Sequence, residues 1–301
     1  PPKISVTMSK YATAHIPHIQ GQVDRTHLRP HTRRAARASA PNHEREIMKE
    51  HEEGYSMPLA APTFTAPPFY ATPQSKILMM AYRAEPAAVA FEVPEPLEPV
   101  EPNLVLAWLG DMGQPTHSVE LYHECLTGIM VRYKEWTGWY INYIWVDNDM
   151  ALTFEREIYG WPANMCDTTP LTFHGSQAIG HCNRAGECLM RLSMNITSPP
   201  PIRRADSAIE ERFAELVDAD FLQIRKIPNP EEGGKPIKQL LLIRPEDFAL
   251  HEIWTGPGHL ELGRSGLYPH LHKLEPVEVL ETWYLKASWV VPYPKVIWDN
   301  S

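Results

Sequence analysis

The sequence predicts a mainly β (α+β) fold, a hairpin-rich sheet with a few helices, preceded by an N-terminal extension. Three observations carry that expectation. From about Pro58 onward, short apolar runs recur between Pro, Gly and Asn, among them KILMMAYRA, NLVLAWLG, GIMVRY and GWYINYIWV. Their β-branched and aromatic enrichment and their lengths suit strands better than helices. Prolines gather at the ends of these runs, as in VPEPLEPVEP and TSPPPIRR, where a missing N–H and a fixed φ stop a ladder and stiffen a loop. Residues 1–57 differ in kind: His15, His18, His27, His31, His43 and His51 are scattered among Arg29, Arg33, Arg34 and Arg37 with little apolar periodicity. The chain therefore divides into an extension over 1–57, partly helical or disordered, and a β-domain over 58–301.

Taken in order, the extension holds one helix near 43–53, where ARASAPNHEREIMKEHEEG has helix-forming composition closed by Gly54. A strand over KILMMAYRA precedes a helix over EPAAVAFEV, which must end before Pro94. Strands follow over NLVLAWLG, GIMVRY, GWYINYIWV, MALTF and ECLMRLSMNIT. The stretch ADSAIEERFAELVD is helical: Asp206 or Ser207 can cap it, and Glu210 and Glu211 complement the first-turn dipole. KQLLLIR and VLETWYLKASWVV close the domain as strands. A closed sheet of this kind encloses a cavity suited to a small ligand.

Composition excludes several function classes. Of 301 residues 43% are hydrophobic and 22% charged, enough for a sizeable core. The net charge of −9 argues against nucleic acid, whose phosphates need a basic face. No apolar run reaches the roughly 18–20 residues that span a bilayer, and no secretory signal is present, so no membrane partner and a cytoplasmic location are expected. The four cysteines lack paired C-x-x-C spacing and read as buried free thiols. HEIWT is not a zinc motif, because position 255 is Thr255 and not His; His270 and His272 have no third ligand nearby in sequence. No metal and no cofactor is implied.

MMAYRAEPAAVAFEVPEPLEP, YHEC, GWYINYIWVDNDMALTFEREIYGWP, HEIWTGPGHLEL and a closing PKVIWD occur in one order, and together they resemble the acetoacetate decarboxylase family over about residues 60–299. That resemblance implies a cone-shaped, mostly antiparallel β-barrel and a homo-oligomer. It also implies a reaction. In the family a lysine of a G-x-P-K-K-like loop condenses with a β-keto acid, and the iminium accepts the electrons released as carbon dioxide leaves. A second lysine and apolar surroundings lower the first one's pKa.

Here the residues after Pro162 are Ala163 and Asn164, and neither forms an imine. The family's glutamate in Y-x-E matches Glu124 in Tyr122-His123-Glu124. Its G-R-E motif survives as Glu155-Arg156-Glu157 with the glycine replaced. A further glutamate falls on Ala107 or Trp108, and an arginine falls near Ser75. The resemblance thus implies a pocket without its lysines, an arginine and a carboxylate, suited to a larger, flatter, less anionic ligand than acetoacetate.

Glu124 and Glu157 are the candidate catalytic residues, since a carboxyl in an apolar cavity has a raised pKa and serves as acid or base, for about 10²–10⁴-fold. Glu157 has a structural alternative, pairing with Arg156 or fixing the loop. Tyr122, Trp108, Tyr140, Tyr143, Trp161, Ala163, Asn164 and Arg156 are the candidate substrate contacts, the tyrosine hydroxyls as donors to a carbonyl or enolate. Lys76 and Lys286 are the lysines that could have taken over imine formation. Three functions remain open: cyclisation, dehydration or non-covalent decarboxylation of a polyketide-like or β-dicarbonyl compound in secondary metabolism; ligand binding without catalysis; and decarboxylation by a relocated lysine.

Overall fold

A computed structural model describes residues 54–114, 119–168, 170–197 and 207–300. The helix expected near 43–53 and all but the last residues of the extension lie outside them. Among the described residues there are seventeen strands: β1 (Phe69–Ala71), β2 (Lys76–Arg83), β3 (Glu98–Pro99), β4 (Leu104–Gln114), β5 (Val119–Tyr133), β6 (Trp136–Val146), β7 (Ala163–Met165), β8 (Asp167–Thr168), β9 (Thr172–His174), β10 (Gln177–Arg184), β11 (Glu187–Asn195), β12 (Asp220–Ile227), β13 (Ile237–Ile243), β14 (Glu246–Thr255), β15 (Gly258–Leu262), β16 (Glu278–Val291) and β17 (Lys295–Asp299). Three α-helices accompany them: α1 (Pro86–Glu92), α2 (Asp149–Phe154) and α3 (Ser207–Val217). No helix among the described residues is long and apolar enough to cross a membrane.

The large sheet runs β1-β16-β2-β4-β5-β6-β12-β13-β17, with β14 on β16, β3 on β5 and β7 on β6. A second sheet runs β15-β11-β10-β8, with β9 on β10. The mainly β content and few helices match the expectation; the closed antiparallel barrel does not. Among the described residues no ladder joins β1 to β17, so the large sheet is open. It is also mixed, because β6 pairs in parallel with both β7 and β12. The reason is local: β6 is followed by α2 and a turn that carry the chain back, and such a crossover, unlike a hairpin, returns a strand in parallel.

That crossover corrects a second expectation. MALTF lies in α2, not in a strand: Asn148 caps the helix, its Oδ1 accepting the Ala151 N–H at 3.0 Å, and Asp149 sits in the first turn. The helix continues into a π-turn over Glu155–Tyr159, ended by Gly160 at φ +70°. Only glycine fits there, because a Cβ would lie 2.6 Å from Arg225 Cα in β12. The helix over Pro86–Glu92 starts with Pro86 in its first turn and stops short of Pro94, as expected.

Strand alternation builds a core on each face of the large sheet. Leu78, Met80 and Tyr82 pack with Cys182, Met190 and Leu192 of the second sheet. Ile77, Met79 and Ala81 belong to the opposite core, with Trp139, Trp283 and Phe213 of α3. Trp139, Trp145 and Trp283 are fully buried, and truncating any one would cost about 3–5 kcal/mol. Cys125, Cys166 and Cys182 are buried free thiols, and Cys188 is half-buried.

Candidate active site

The second core is not filled completely. A cavity of about 60 Å³ lies in it, lined chiefly by Phe69, Trp108, Leu126, Phe154, Trp161 and Trp289, with Tyr122, Tyr159 and Glu124 as its polar groups. Roughly 10–15 Å³ admits one water, so the space fits a ligand of a few non-hydrogen atoms. Trp108 and Trp289, with ring centroids 6.3 Å apart, narrow it. The larger, flatter ligand expected from the pocket changes therefore does not match this cavity.

Among the described residues, Glu124 is the sole residue of a charged type on the wall. It sits mid-strand in β5, opposite Gly110 of β4 and Val146 of β6, and is 5% exposed. Burial pushes its carboxyl up to about 7. The Tyr122 hydroxyl, which donates to its Oε2 at 3.2 Å, and the nearby Trp108 indole oppose that rise by favouring the carboxylate. Glu124 can thus both hold and release a proton near neutrality.

A second carboxyl was not singled out from sequence. Glu155, first residue of the π-turn, is 1% exposed, and its Oε2 has no hydrogen-bond partner. Burial first, and then the charge of Glu124, hold it well above the ordinary carboxylate range. The available signal was the replaced glycine itself: a charged residue directly after the buried Phe154, in a segment packed against the cavity.

The other predicted residues separate. Trp108, Tyr122 and Trp161 line the cavity with Glu124. Ala163 is buried in the same core without reaching the wall. Asn164 turns its amide to the Pro162 carbonyl at 2.9 Å, and Arg156 donates to the Ala163 carbonyl at 3.0 Å, so both brace the loop. Glu157 is half-buried and off the wall. Tyr140 and Tyr143 belong to the opposite core, where Tyr143 donates to Glu92 at 2.8 Å.

A bulge explains the two tyrosines. Thr127 pairs with Tyr143 and Gly128 with Ile141, leaving Asn142 as an extra residue that switches the parity of β6. Trp139 and Ile141 before it, and Ile144 and Val146 after it, all face the cavity side.

Neither alternative lysine enters the cavity. Lys286 pairs with Glu252 at 2.6 Å, and Lys76 lies 3.9 Å from Asp111 with its side chain 43% exposed. His251 meets the Ser288 hydroxyl at 2.8 Å on an exposed stretch of β14. His123, on the other face of β5 from Glu124, holds Asp147 at 2.5 Å through Nδ1, and that bond raises its pKa despite burial.

Known proteins agree with this architecture. The family model described as "Acetoacetate decarboxylase (ADC)" matches residues 56–301. Acetoacetate decarboxylase of Clostridium botulinum (strain Eklund 17B / Type B) is 27% identical over 254 residues, 84% of this chain and 98% of the relative. The crystal structure of acetoacetate decarboxylase from Legionella pneumophila superposes with a TM-score of 0.69 at 24% identity, covering 88% of this chain and 99% of that one. The enduracididine biosynthesis enzyme MppR, complexed with the condensation product of pyruvate and imidazole 4-carboxaldehyde, superposes with a TM-score of 0.67 at 20% identity, over 82% and 97% of the two chains. At these identities the two structures speak for the fold, while the family match spans most of the sequence: the chain belongs to the acetoacetate decarboxylase family.

Proposed function

We propose that this chain is a small-molecule enzyme that works by proton transfer and not through a Schiff base, on a small, neutral β-dicarbonyl compound. The observation that carries this reading is the cavity wall: it holds the buried, proton-exchanging Glu124 and no lysine. Glu124 removes a proton from the carbon between two carbonyls, and the resulting enolate oxygen is met by a hydroxyl donor such as Tyr122. One preorganised donor of that kind is worth roughly 10²–10³ in rate. Proton return to a different atom then gives isomerisation, attack of the enolate carbon on a second carbonyl gives cyclisation, and departure of a β-hydroxyl as water gives dehydration.

MppR, with its bound condensation product, supports the view that this fold hosts carbonyl chemistry other than that of acetoacetate. The test is exchange of the central methylene protons of a neutral 1,3-diketone, pentane-2,4-dione, in heavy water, followed by NMR against buffer alone. Exchange above background that falls at least tenfold in Glu124→Gln is expected, together with carbon dioxide release from acetoacetate at the spontaneous rate. Equal exchange above background in protein and Glu124→Gln would remove Glu124 from the chemistry, and exchange at the buffer rate in both would leave the chain a binding protein.

A further inference from the structure

Two carboxyls are buried around the candidate site, Glu124 on the cavity wall and Glu155 in the turn between the wall residues Phe154 and Tyr159, and the acid/base reading above uses only one. Glu124 and Glu155 are 5% and 1% exposed, and no cation is among the groups that act on either. Glu155 lies at a defined junction. Val146, the β6 partner of Glu124, accepts the backbone N–H of Cys166 at 2.9 Å, and Glu155 feels both Glu124 and the Cys166 thiol. Its own carbonyl accepts the N–H groups of Gly160 and Trp161, which pins the π-turn and sets the side chain inward, while its Oε2 meets no donor or acceptor.

Two like charges in one desolvated space cannot both persist, because each lacks water and repels the other. Of the two cations around the turn, neither pairs with Glu155, although Arg225 keeps a buried Nε without a partner. Arg156 gives its guanidinium to the Ala163 carbonyl, and Arg225, on the β12 segment packed against the turn, gives Nη1 to Gln239. Facing Glu124 are Tyr122 and Trp108, both neutral donors.

We propose that Glu155 is the proton-holding partner of Glu124: a carboxylic acid kept neutral behind the cavity wall, so that Glu124 alone carries the site's negative charge and exchanges protons with the ligand. At rest the pair holds one proton, on Glu155, and one negative charge, on Glu124. When Glu124 takes a proton from the ligand carbon, the pair holds two protons and the enolate carries the charge; return of the proton restores the first state. Glu155 is a positioning residue in this scheme. Environments that separate two carboxyls into an acid and a base are a recurrent way to assign such roles. The catalytic meaning of the pair rests on the proposed function, but its existence does not.

The experiment is a pH titration of the full chain carrying ¹³C-carboxyl-labelled glutamate, with the two signals assigned by Glu124→Gln and Glu155→Gln. In the unaltered protein Glu155 is expected to stay protonated through the midpoint at which Glu124 ionises. In Glu124→Gln, removal of the neighbouring charge should lower the Glu155 midpoint by on the order of one pH unit. In Glu155→Gln, Glu124 should ionise in a single step near its original midpoint. Ionisation of Glu155 below the Glu124 midpoint, or a Glu155 curve unchanged in Glu124→Gln, would overturn the pairing. If Glu155→Gln fails to fold, the unaltered protein and Glu124→Gln still decide the question. Because turnover is not read, an inactive Glu124 and an unpaired Glu155 are distinguishable failures.

Discussion

Replacing Glu124 by Gln should make the protein more stable in alkaline than in acidic buffer, relative to wild type. The folded carboxyl stands at about 7 against an ordinary 4.5, because burial penalises its charge. At about 1.4 kcal/mol per tenfold change in the protonation equilibrium, that difference is about 3 kcal/mol. The sign follows from proton binding. Between pH 4.5 and about 7 the unfolded chain has released this proton while the folded chain keeps it, so stability falls as pH rises through the window. Above it the full cost remains; below it there is none. Gln is nearly isosteric and cannot ionise, so the variant lacks this slope. Urea denaturation of both proteins at about pH 4 and about pH 8 gives four free energies, and titrating groups that do not interact with Glu124 cancel in the double difference. A double difference of about 3 kcal/mol in favour of the variant at the higher pH is expected; a flat one, within about 0.5 kcal/mol, would refute the desolvated carboxyl on which the site is built.

Gly160→Ala should destabilise the protein by about 2 kcal/mol or more, read by the same denaturation, since it puts a Cβ at φ +70° and 2.6 Å from Arg225 Cα. Equal stability would mean that the turn yields freely. Asp147→Asn should cost about 1.5–3 kcal/mol in acid and progressively less in alkali. The Asp147 bond raises the His123 pKa above its ordinary 6.5, so the stabilisation is complete below that value and is lost as pH rises through the folded one. A loss independent of pH would show that His123 is not protonated against Asp147.

Most of the sheet structure was legible in the sequence, because strands β2, β4, β6, β13 and β16 carry the apolar and aromatic runs that a strand between two cores requires, and β11 carries a run that feeds one core. What was not legible depends on parity and crossover. Alternation cannot say which face of a run meets the cavity, and one bulged residue, Asn142, sent Tyr140 and Tyr143 to the opposite core. MALTF reads equally as a short buried strand or helix, and the cap at Asn148 with the return to β7 decides for the helix. In the EREIY segment, a π-turn places the first residue inward and leaves the third half-buried, so Glu155 and not Glu157 takes the position by the cavity; helical or strand periodicity does not anticipate a π-turn, and the replaced glycine was the one local signal. Glu124, Tyr122, Trp108 and Trp161 were identified because the resemblance supplied their positions, and local patterning alone would have shown no more than an isolated glutamate between a histidine and a cysteine.

The charge inventory of the cavity decides which ligands are physically reasonable. A β-keto acid brings a carboxylate into a space whose one acidic wall residue among the described ones, Glu124, also carries a carboxyl group. At roughly 5 Å and an effective dielectric of about 20, the repulsion is about 3 kcal/mol, before the cost of stripping water from the ligand's charge. In the family's reaction a lysine offsets such a penalty; here Ala163 and Asn164 stand in the loop, and Lys76 and Lys286 lie off the wall. Protonating Glu124 would remove the repulsion but also remove the base. A neutral dicarbonyl avoids this conflict, because its oxygens ask only for hydrogen-bond donors, which Tyr122 and Trp108 can supply, and its negative charge arises only as Glu124 gives up its own. Under the proposed function, the absence of lysine at Ala163 and Asn164 and the presence of Glu124 belong to one change in chemistry, from an anionic substrate held by cations to a neutral one ionised in place.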